Sequence, residues 1–546
     1  MRLDRRTLVV PAHGTASTTL SVDPKGRVGG GEHGGRVLAT AGDTTVTTPF
    51  GYWLEPEMVD LTVTVIDRAG DPARGRSFLD VVNMDVAAGE RRCLDGTAVP
   101  LRLAAGTYSV AALIGTPDRG GEEWGPQTSL TFAGAPELTL DRDTTLVLDA
   151  RQGVQHQTRG GARPLDVTSG VVSYGRTWDR FVMAGSLTAD EYVDAYYAVP
   201  SKDVQLGSGG LPPVEHGTFE LDTLWRAGAK ALALTANGRP VPTELVGNAA
   251  RLDGSGSAGL VDLGTGKLEE ITARLPEAAG RVALVRVAER WDVAPILEAA
   301  RDSGAVAILF DWAQPGRMQV GSFRGVQSGV PGVLLTAESG DALRAQRAAG
   351  PVRLAWQATA ASPYLYNLAF RNERSVPQVQ THDVADRRLA SVDERWYAQR
   401  EAGYFYELMN ADRPYGEVYF PLVERLRAPM HRTTWYPPDL GWRQLGTSAV
   451  VWAEVLADVP HTYRAGQRGD VTWYRQPVPS GLLRNHDTGA GLTMAERQAN
   501  LIGAAFENYR DSYGHYTAAT DFLDAGNVEL FRGGESLGSP GWLAGQ

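Results

Sequence analysis

Three short stretches of the 546-residue chain carry the residue types of a nucleophilic acyl-transfer triad. His13 lies in His13-Gly14-Thr15, Ser448 closes Gly446-Thr447-Ser448, and Asp487 opens Asp487-Thr488-Gly489. A serine becomes a nucleophile when a base sits within hydrogen-bond reach and a carboxylate orients that base. Separation along the chain does not forbid this, so local context discriminates. After His13, Thr15, Ser17, Thr19 and Ser21 alternate with Ala16, Thr18, Leu20 and Val22, a period of two that predicts a half-exposed strand. The run Ala449 to Val455 after Ser448 also suits a strand, and Asp487 lies in the polar stretch PSGLLRNHDTGAG, a loop. A second His-Gly-Thr at His216 shows how readily the tripeptide recurs. The expectation is a turn or edge-strand His13, a strand Ser448, a loop Asp487 and no catalytic residue.

Other motifs lead the same way. Gly29-Gly30-Gly31-Glu32-His33-Gly34 fits GxGxxG, a spacing that lets backbone amides approach a pyrophosphate at a helix start. Short strand patterns flank it and no helix pattern follows, so it reads as a loop. There is no HExxH and no P-loop. The nine histidines show no paired ligand spacing, and the single Cys93 excludes an intrachain disulfide and a thiolate zinc cluster. Asp141 and Asp143 could offer oxygens to calcium, but a turn carrying solvated acids explains them more simply. No cofactor-binding and no metal-binding residue is expected, and no cofactor.

The bulk properties narrow the class. Hydrophobic residues make up 43% and charged residues 21%, ordinary for a globular protein. The net charge of −11 argues against general nucleic-acid binding, which needs a basic face. No apolar run reaches the roughly 18–20 residues of a membrane span, and the run from Leu8 to Pro11 is too short for a signal-peptide core.

The pattern along the chain is mainly β and multidomain. Residues 1–57 read as short strands (TLVV, STTLSVD, GRVLATA, TTVTTPFGYWL) separated by glycine-rich turns such as GGGEHGG. They supply about half of the strands an immunoglobulin-like or fibronectin-like sandwich needs, so a partial sandwich is expected and the chain is expected to start inside a domain. Residues 58–150 read as a β-sandwich module and 151–224 as a β-rich segment. Over 225–360 apolar strands alternate with helices: Val293, Ile296, Leu297 and Ala300 form one helix stripe, stopped by Gly304. Strand–helix–strand with apolar strands predicts a parallel pair. Residues 361–546 are β-rich and aromatic, with Tyr364, Tyr366, Trp396, Tyr404, Trp435, Trp442, Trp452 and Trp473 among many.

The segment 259–343 resembles a protease-associated (PA) domain. The matching residues are Gly280-Arg281-Val282-Ala283-Leu284-Val285-Arg286, Ala299-Ala300, and Ser303-Gly304-Ala305-Val306-Ala307-Ile308. Val330-Pro331-Gly332-Val333 and Ser339-Gly340-Asp341-Ala342-Leu343 follow. The flanking runs LVVPAHGTASTTLSVDP, LTVTVIDRAGDP, LRLAAGTYSVAALI and VELFRGGESLG resemble the β modules that follow the catalytic domain of large bacterial subtilisin-like serine peptidases. In that family the histidine motif opens a helix, the serine motif continues with small residues and a proline, and the order is Asp, His, Ser. This chain departs on each count. The resemblance implies β-sandwich modules with one α/β PA-type domain inserted, in a non-catalytic accessory region. Its implied partner is a protein or peptide substrate, or a peptidase catalytic domain, in an extracellular setting. The alternatives are a carbohydrate-binding or surface-adhesion β-sandwich protein, whose exposed aromatics would stack on sugars, and a hydrolase with an unrecognised site.

Overall fold

Strands that read as unbroken apolar runs are buried on both faces, and this rule organises most of the molecule. Gly106–Pro117 shows it. Its Tyr108, Val110, Ala112 and Ile114 pack into one core, while Ala111 and Leu113 pack into another. The computed structural model describes residues 1–23, 30–160, 162–189, 193–200, 214–246, 249–320, 329–373, 376–377, 379–398, 403–412, 422–448, 455–457, 460–475, 481–482, 495–498, 501–504, 506–507, 515–519 and 530–538. Within them the chain is mainly β, with several sheets and one α/β unit set among them.

Four sheets stack face to face. The first holds Met58–Ile66 between Val99–Ala104 and Thr144–Asp149. The second runs Val154–Gln155, Tyr196–Ala198, Gln127–Leu140, Gly106–Pro117, Arg74–Asn83, Ala88–Asp95. The sandwich formed by 58–150 thus takes two further strands from beyond it. The third runs Phe181–Ala189, Asp166–Trp178, Thr218–Gly228, Tyr364–Glu373, Met430–Tyr436, Ala390–Trp396, Arg468–Trp473. The fourth is built around Leu422–Ala428, Gly403–Ala411 and Gly441–Ser448. Leu130 and Phe132 of the second sheet meet Phe219, Leu221 and Trp225 of the third. Val171, Leu224 and Tyr436 of the third meet Met409, Leu422 and Trp442 of the fourth.

The α/β unit begins at Leu232, somewhat later than the sequence pattern suggests, because Thr218–Gly228 belongs to the third sheet. Its sheet runs Arg239–Val241, Leu232–Ala236, Arg353–Ala358, Gly254–Gly266, Val282–Val287, Ala307–Trp312, Gly332–Leu334, Glu244–Leu245. The four strands from Gly254–Gly266 to Gly332–Leu334 are parallel neighbours. The predicted stripe Val293, Ile296, Leu297, Ala300 is at most 2% exposed and packs on Val285, Ile308 and Phe310. The helix ends before Gly304, which takes φ 72°, a conformation that suits glycine. On the opposite face Ala337–Ala349 places Leu343 against Leu284 and Leu309. Gly340 has a specific reason: a Cβ there would lie 2.1 Å from Asp311 Oδ2. The buried Asp311 accepts bonds from Arg344 Nη1 at 2.7 Å and Arg286 Nε at 2.9 Å, which ties the helix to the strands.

The N-terminal segment differs from the sequence reading. The expected strands at Thr7–Val10 and Ser17–Asp23 reduce to the two residues Leu20–Ser21, paired with Arg2–Leu3. Thr18 explains why: its hydroxyl bonds both the N–H and the C=O of Arg5 (3.0 and 2.9 Å), replacing a ladder with a side-chain link. GGGEHGG is not a turn beyond Gly30; Gly31–Ala41 is a strand paired with Thr44–Leu54. Gly35 is needed there because the Phe50 ring lies over it, 2.7 Å from where a Cβ would be. Among the described residues no third strand joins this ribbon.

Ile296→Asp should destabilise the α/β unit by about 4 kcal/mol or more, because it buries an unpaired carboxylate. Urea unfolding followed by circular dichroism measures this, and an unchanged midpoint would show that the stripe is not a core face.

Candidate functional site

His13 and Ser448 lie on separate elements. His13 occupies an exposed turn at φ 59°, with Gly14 N–H donating to Pro11 O at 2.9 Å. Ser448 ends the strand Gly441–Ser448 in the fourth sheet, opposite Phe405. Asp487 and the run 449–454 lie outside the described residues. Gly534-Glu535-Ser536-Leu537-Gly538, which the motif reading passes over, fits the GxSxG of a nucleophile elbow. It lies in a two-stranded hairpin, Leu530–Arg532 with Glu535–Gly538, and not at a strand-to-helix turn. Asp143 Oδ1 accepts from Asp60 N–H at 2.9 Å, so it ties its turn to a neighbouring strand. Asp141 is paired with Arg142.

Folding does gather ionisable groups that no spacing predicted. Between the third and fourth sheets, Arg432 pairs with Glu394 (2.7 Å), Glu424 (2.8 Å) and Glu407. Arg226 reaches Glu407 at 3.3 Å. Thr434 Oγ1 and Trp396 Nε1 donate to Glu394 at 2.7 and 2.8 Å. Although burial alone raises it, the Arg432 charge and these donors hold the Glu394 carboxyl below its usual range; burial leaves Glu407 raised. Glu394, Glu407 and Arg226 are fully buried, so this network binds the layers together. Trp396, Trp435, Tyr436, Trp442 and Trp473 are buried around it. They form core, not the exposed row that sugar stacking needs; Trp452 lies outside the described residues. His156 stacks between Trp225 and His382, and burial pushes it down to about 3, so it is neutral.

Glu137, Glu215 and His216 bring three ligand atoms within 4.8 Å of one another. Glu137 already meets the buried Arg176 at 3.3 Å and the His216 ring. That histidine belongs to the second His-Gly-Thr, whose partner is distant in sequence.

A further constellation lies where the parallel strands of the α/β unit end. Open α/β sheets bind ligands outside the carboxyl ends of their strands. Here the chain leaves Val282–Val287 into Arg290 and Trp291, and leaves Ala307–Trp312 into Pro315-Gly316-Arg317. Against these loops sits the loop 118–126 of the second sheet. Arg317 binds Asp118 through two nitrogens (both 2.9 Å), Asp194 at 2.6 Å and Glu244 at 2.8 Å. Arg290 Nη1 meets Glu122 at 3.1 Å. The backbones pack closely: a Cβ on Gly316 (φ 82°) would lie 3.2 Å from Gly121 Cα, and one on Gly120 (φ 74°) would lie 3.2 Å from Pro315. Trp124 and Trp291 are 55% and 57% exposed, each within two residues of the Arg290–Glu122 pair.

One guanidinium serves three carboxylates, so none receives a full countercharge. Burial raises Glu244 to about 7 against the pull of Arg317, with Asp194 and Asp118 adding repulsion. Its Oε2 is buried without a hydrogen-bond partner. Burial also raises Asp194. Arg317, which desolvation would lower, is held protonated by Asp118, Glu244 and Asp194. The cluster is an ionic clamp with exposed indoles at its rim.

No family model matches the chain, and no curated protein matches it. Among solved structures, an aminopeptidase from Aneurinibacillus sp. strain AM-1 is 17% identical with a TM-score of 0.21, covering 28% of this chain and 35% of that one. The zinc aminopeptidase BSAP of Bacillus subtilis is 18% identical with a TM-score of 0.20, over the same shares. The Bacillus anthracis TIE protein is 7% identical with a TM-score of 0.13, covering 81% of this chain and 58% of that one. The chain spans about a third of the length of the aminopeptidases it matches.

Glu244 makes the clamp pH-dependent. Its folded pKa near 7 exceeds the ordinary 4.5, so the folded chain binds the extra proton between those values. Stability is full below about 4.5 and falls as pH rises through 7. Glu244→Gln should therefore match the parent near pH 5 and exceed it at pH 8 by about 2–3 kcal/mol. Urea unfolding at the two pH values measures this, and an equal difference at both would contradict it.

Proposed function

We propose that this chain is a non-catalytic binding protein whose PA-type α/β unit holds an extended protein or peptide segment, in the manner of the accessory region of an exported subtilisin-like peptidase. The observation that carries the reading is the junction of the α/β unit with the loop 118–126. Exposed Trp124 and Trp291 flank the Arg290–Glu122 pair at the carboxyl ends of the parallel strands. Indoles supply large contact area with little rotamer entropy to lose, and a charged pair beside them can exchange partners with a peptide. That His13 lies in a turn and Ser448 at the end of a strand, on separate elements, supports a binding role over hydrolysis. The acidic balance disfavours nucleic acid as the partner. No helix among the described residues is long and apolar enough to cross a membrane, which is compatible with an extracellular setting.

Fluorescence anisotropy with labelled, unfolded casein tests the reading. The full chain should bind the casein without cleaving it. Trp124→Ala with Trp291→Ala should weaken binding by about tenfold or more while circular dichroism stays unchanged. Binding that is indifferent to both tryptophans would overturn the site. Fluorophosphonate labelling of Ser448 that disappears on His13→Ala would overturn the non-catalytic reading.

A further inference from the structure

The strands Gly31–Ala41 and Thr44–Leu54 pair over their whole length without a bulge, and no third strand joins them among the described residues. Gly42, at φ 56°, takes the first position of the two-residue turn, where a type II′ hairpin places glycine. In such a hairpin the closing pair, here Ala41 with Thr44, exchanges both backbone bonds, and bonded pairs recur at every second position. The positions between them, Glu32, Gly34, Arg36, Leu38 and Thr40, therefore aim their N–H and C=O groups at the free edge. The same count places Pro49, opposite Arg36, with its missing N–H on the outer edge of the second strand, where it interrupts the donor row. Among the described residues, one edge is blunted and the other is open.

The open edge is complementary to itself. An antiparallel copy centred on Gly34 sets Glu32 opposite the second copy's Arg36, and Arg36 opposite the second copy's Glu32. Both are bonded pairs with their side chains on one face. Within one hairpin Glu32 faces Trp53 and Arg36 faces Pro49. Four residues apart on an extended strand, the two charges are about 13 Å from each other and do not meet. Both are exposed. Gly34, at the axis, has no side chain to obstruct the approach. An isolated two-stranded ribbon is marginal in water, and a sheet of three or more strands is not.

We propose that two copies of this chain join along the edge of Gly31–Ala41, forming an antiparallel four-stranded sheet with its two-fold axis at Gly34. The pairing extends the apolar face of His33, Val37, Phe50 and Tyr52 across both copies. It leaves the Trp124–Trp291 junction uninvolved, so dimerisation and casein binding are separable.

Sedimentation equilibrium of the full chain tests this. The parent should show a reversible monomer–dimer equilibrium. Glu32→Arg places like charges opposite each other twice per dimer and should weaken association by about tenfold. Adding Arg36→Glu restores opposite charges in the same register and should return the dissociation constant to within about threefold of the parent. A chain that stays monomeric to about 100 µM, tenfold weaker than about 10 µM binding by roughly 1.4 kcal/mol, would overturn the proposal. So would a dimer that ignores both substitutions, or one that the double variant weakens as much as the single.

Discussion

The pairing of Thr218–Gly228 with Tyr364–Glu373 is the constraint on which the architecture depends. These strands are antiparallel neighbours from Glu220–Glu373 to Gly228–Leu365, yet the whole α/β unit lies between them in sequence. The unit can be accommodated only if its ends meet. Its own sheet ensures this: Leu232–Ala236 leaves as Arg353–Ala358 returns, paired from Leu232–Ala358 to Ala236–Leu354. The neck is closed by Thr359 N–H to Ala231 O at 3.0 Å and by Ala229 N–H to Ser362 Oγ at 2.9 Å. Gly228 fits there because a Cβ would lie 3.0 Å from Ser362 Oγ.

Stacking four sheets places two of them between cores. At its centre that arrangement buries polar residues of the third sheet such as Arg226, Glu394 and Arg432, which find partners inside. Along Thr218–Gly228, Phe219, Leu221 and Trp225 face the second sheet. The alternate residues include Arg226, which faces Glu407. The ion network of Arg226, Arg432, Glu394, Glu407 and Glu424 is the result. Breaking one member of such a network leaves a buried charge without its partner and costs about 3–5 kcal/mol. The same reasoning applies at the junction, where Arg317 docks the α/β unit on the second-sheet side through Asp118 and Asp194, while Glu244 holds it within its own unit.

What was legible in the sequence was local. The stripe Val293, Ile296, Leu297, Ala300 and the stop at Gly304 follow from the helix period and from glycine's tolerance of positive φ. Gly340, conspicuous only as part of a family-like series, is explained by Asp311 beneath it. The layer order, the insertion point and the clamp were not legible, because each joins residues far apart in sequence: Arg317 with Asp118, Arg432 with Glu394, His216 with Glu137. At the N-terminus alternation misled. Thr15 to Val22 has a strand's period, but the Thr18 hydroxyl satisfies the Arg5 backbone and the ladder shrinks to two pairs. GGGEHGG misled in the other direction, since its glycines make room for Phe50 within a strand.

If the α/β unit is an insert on a closed neck, the stacked sheets should fold without it. The direct measurement is amide hydrogen exchange on a chain in which residues 231–359 are replaced by a short Gly-Ser turn joining Lys230 to Ala360. The account predicts that the amides of Leu221 to Ala227 and Tyr366 to Phe370 keep the protection they have in the parent, to within about tenfold in exchange rate. Loss of protection across both strands would mean that the α/β unit holds the third sheet together, and the insertion account would be wrong.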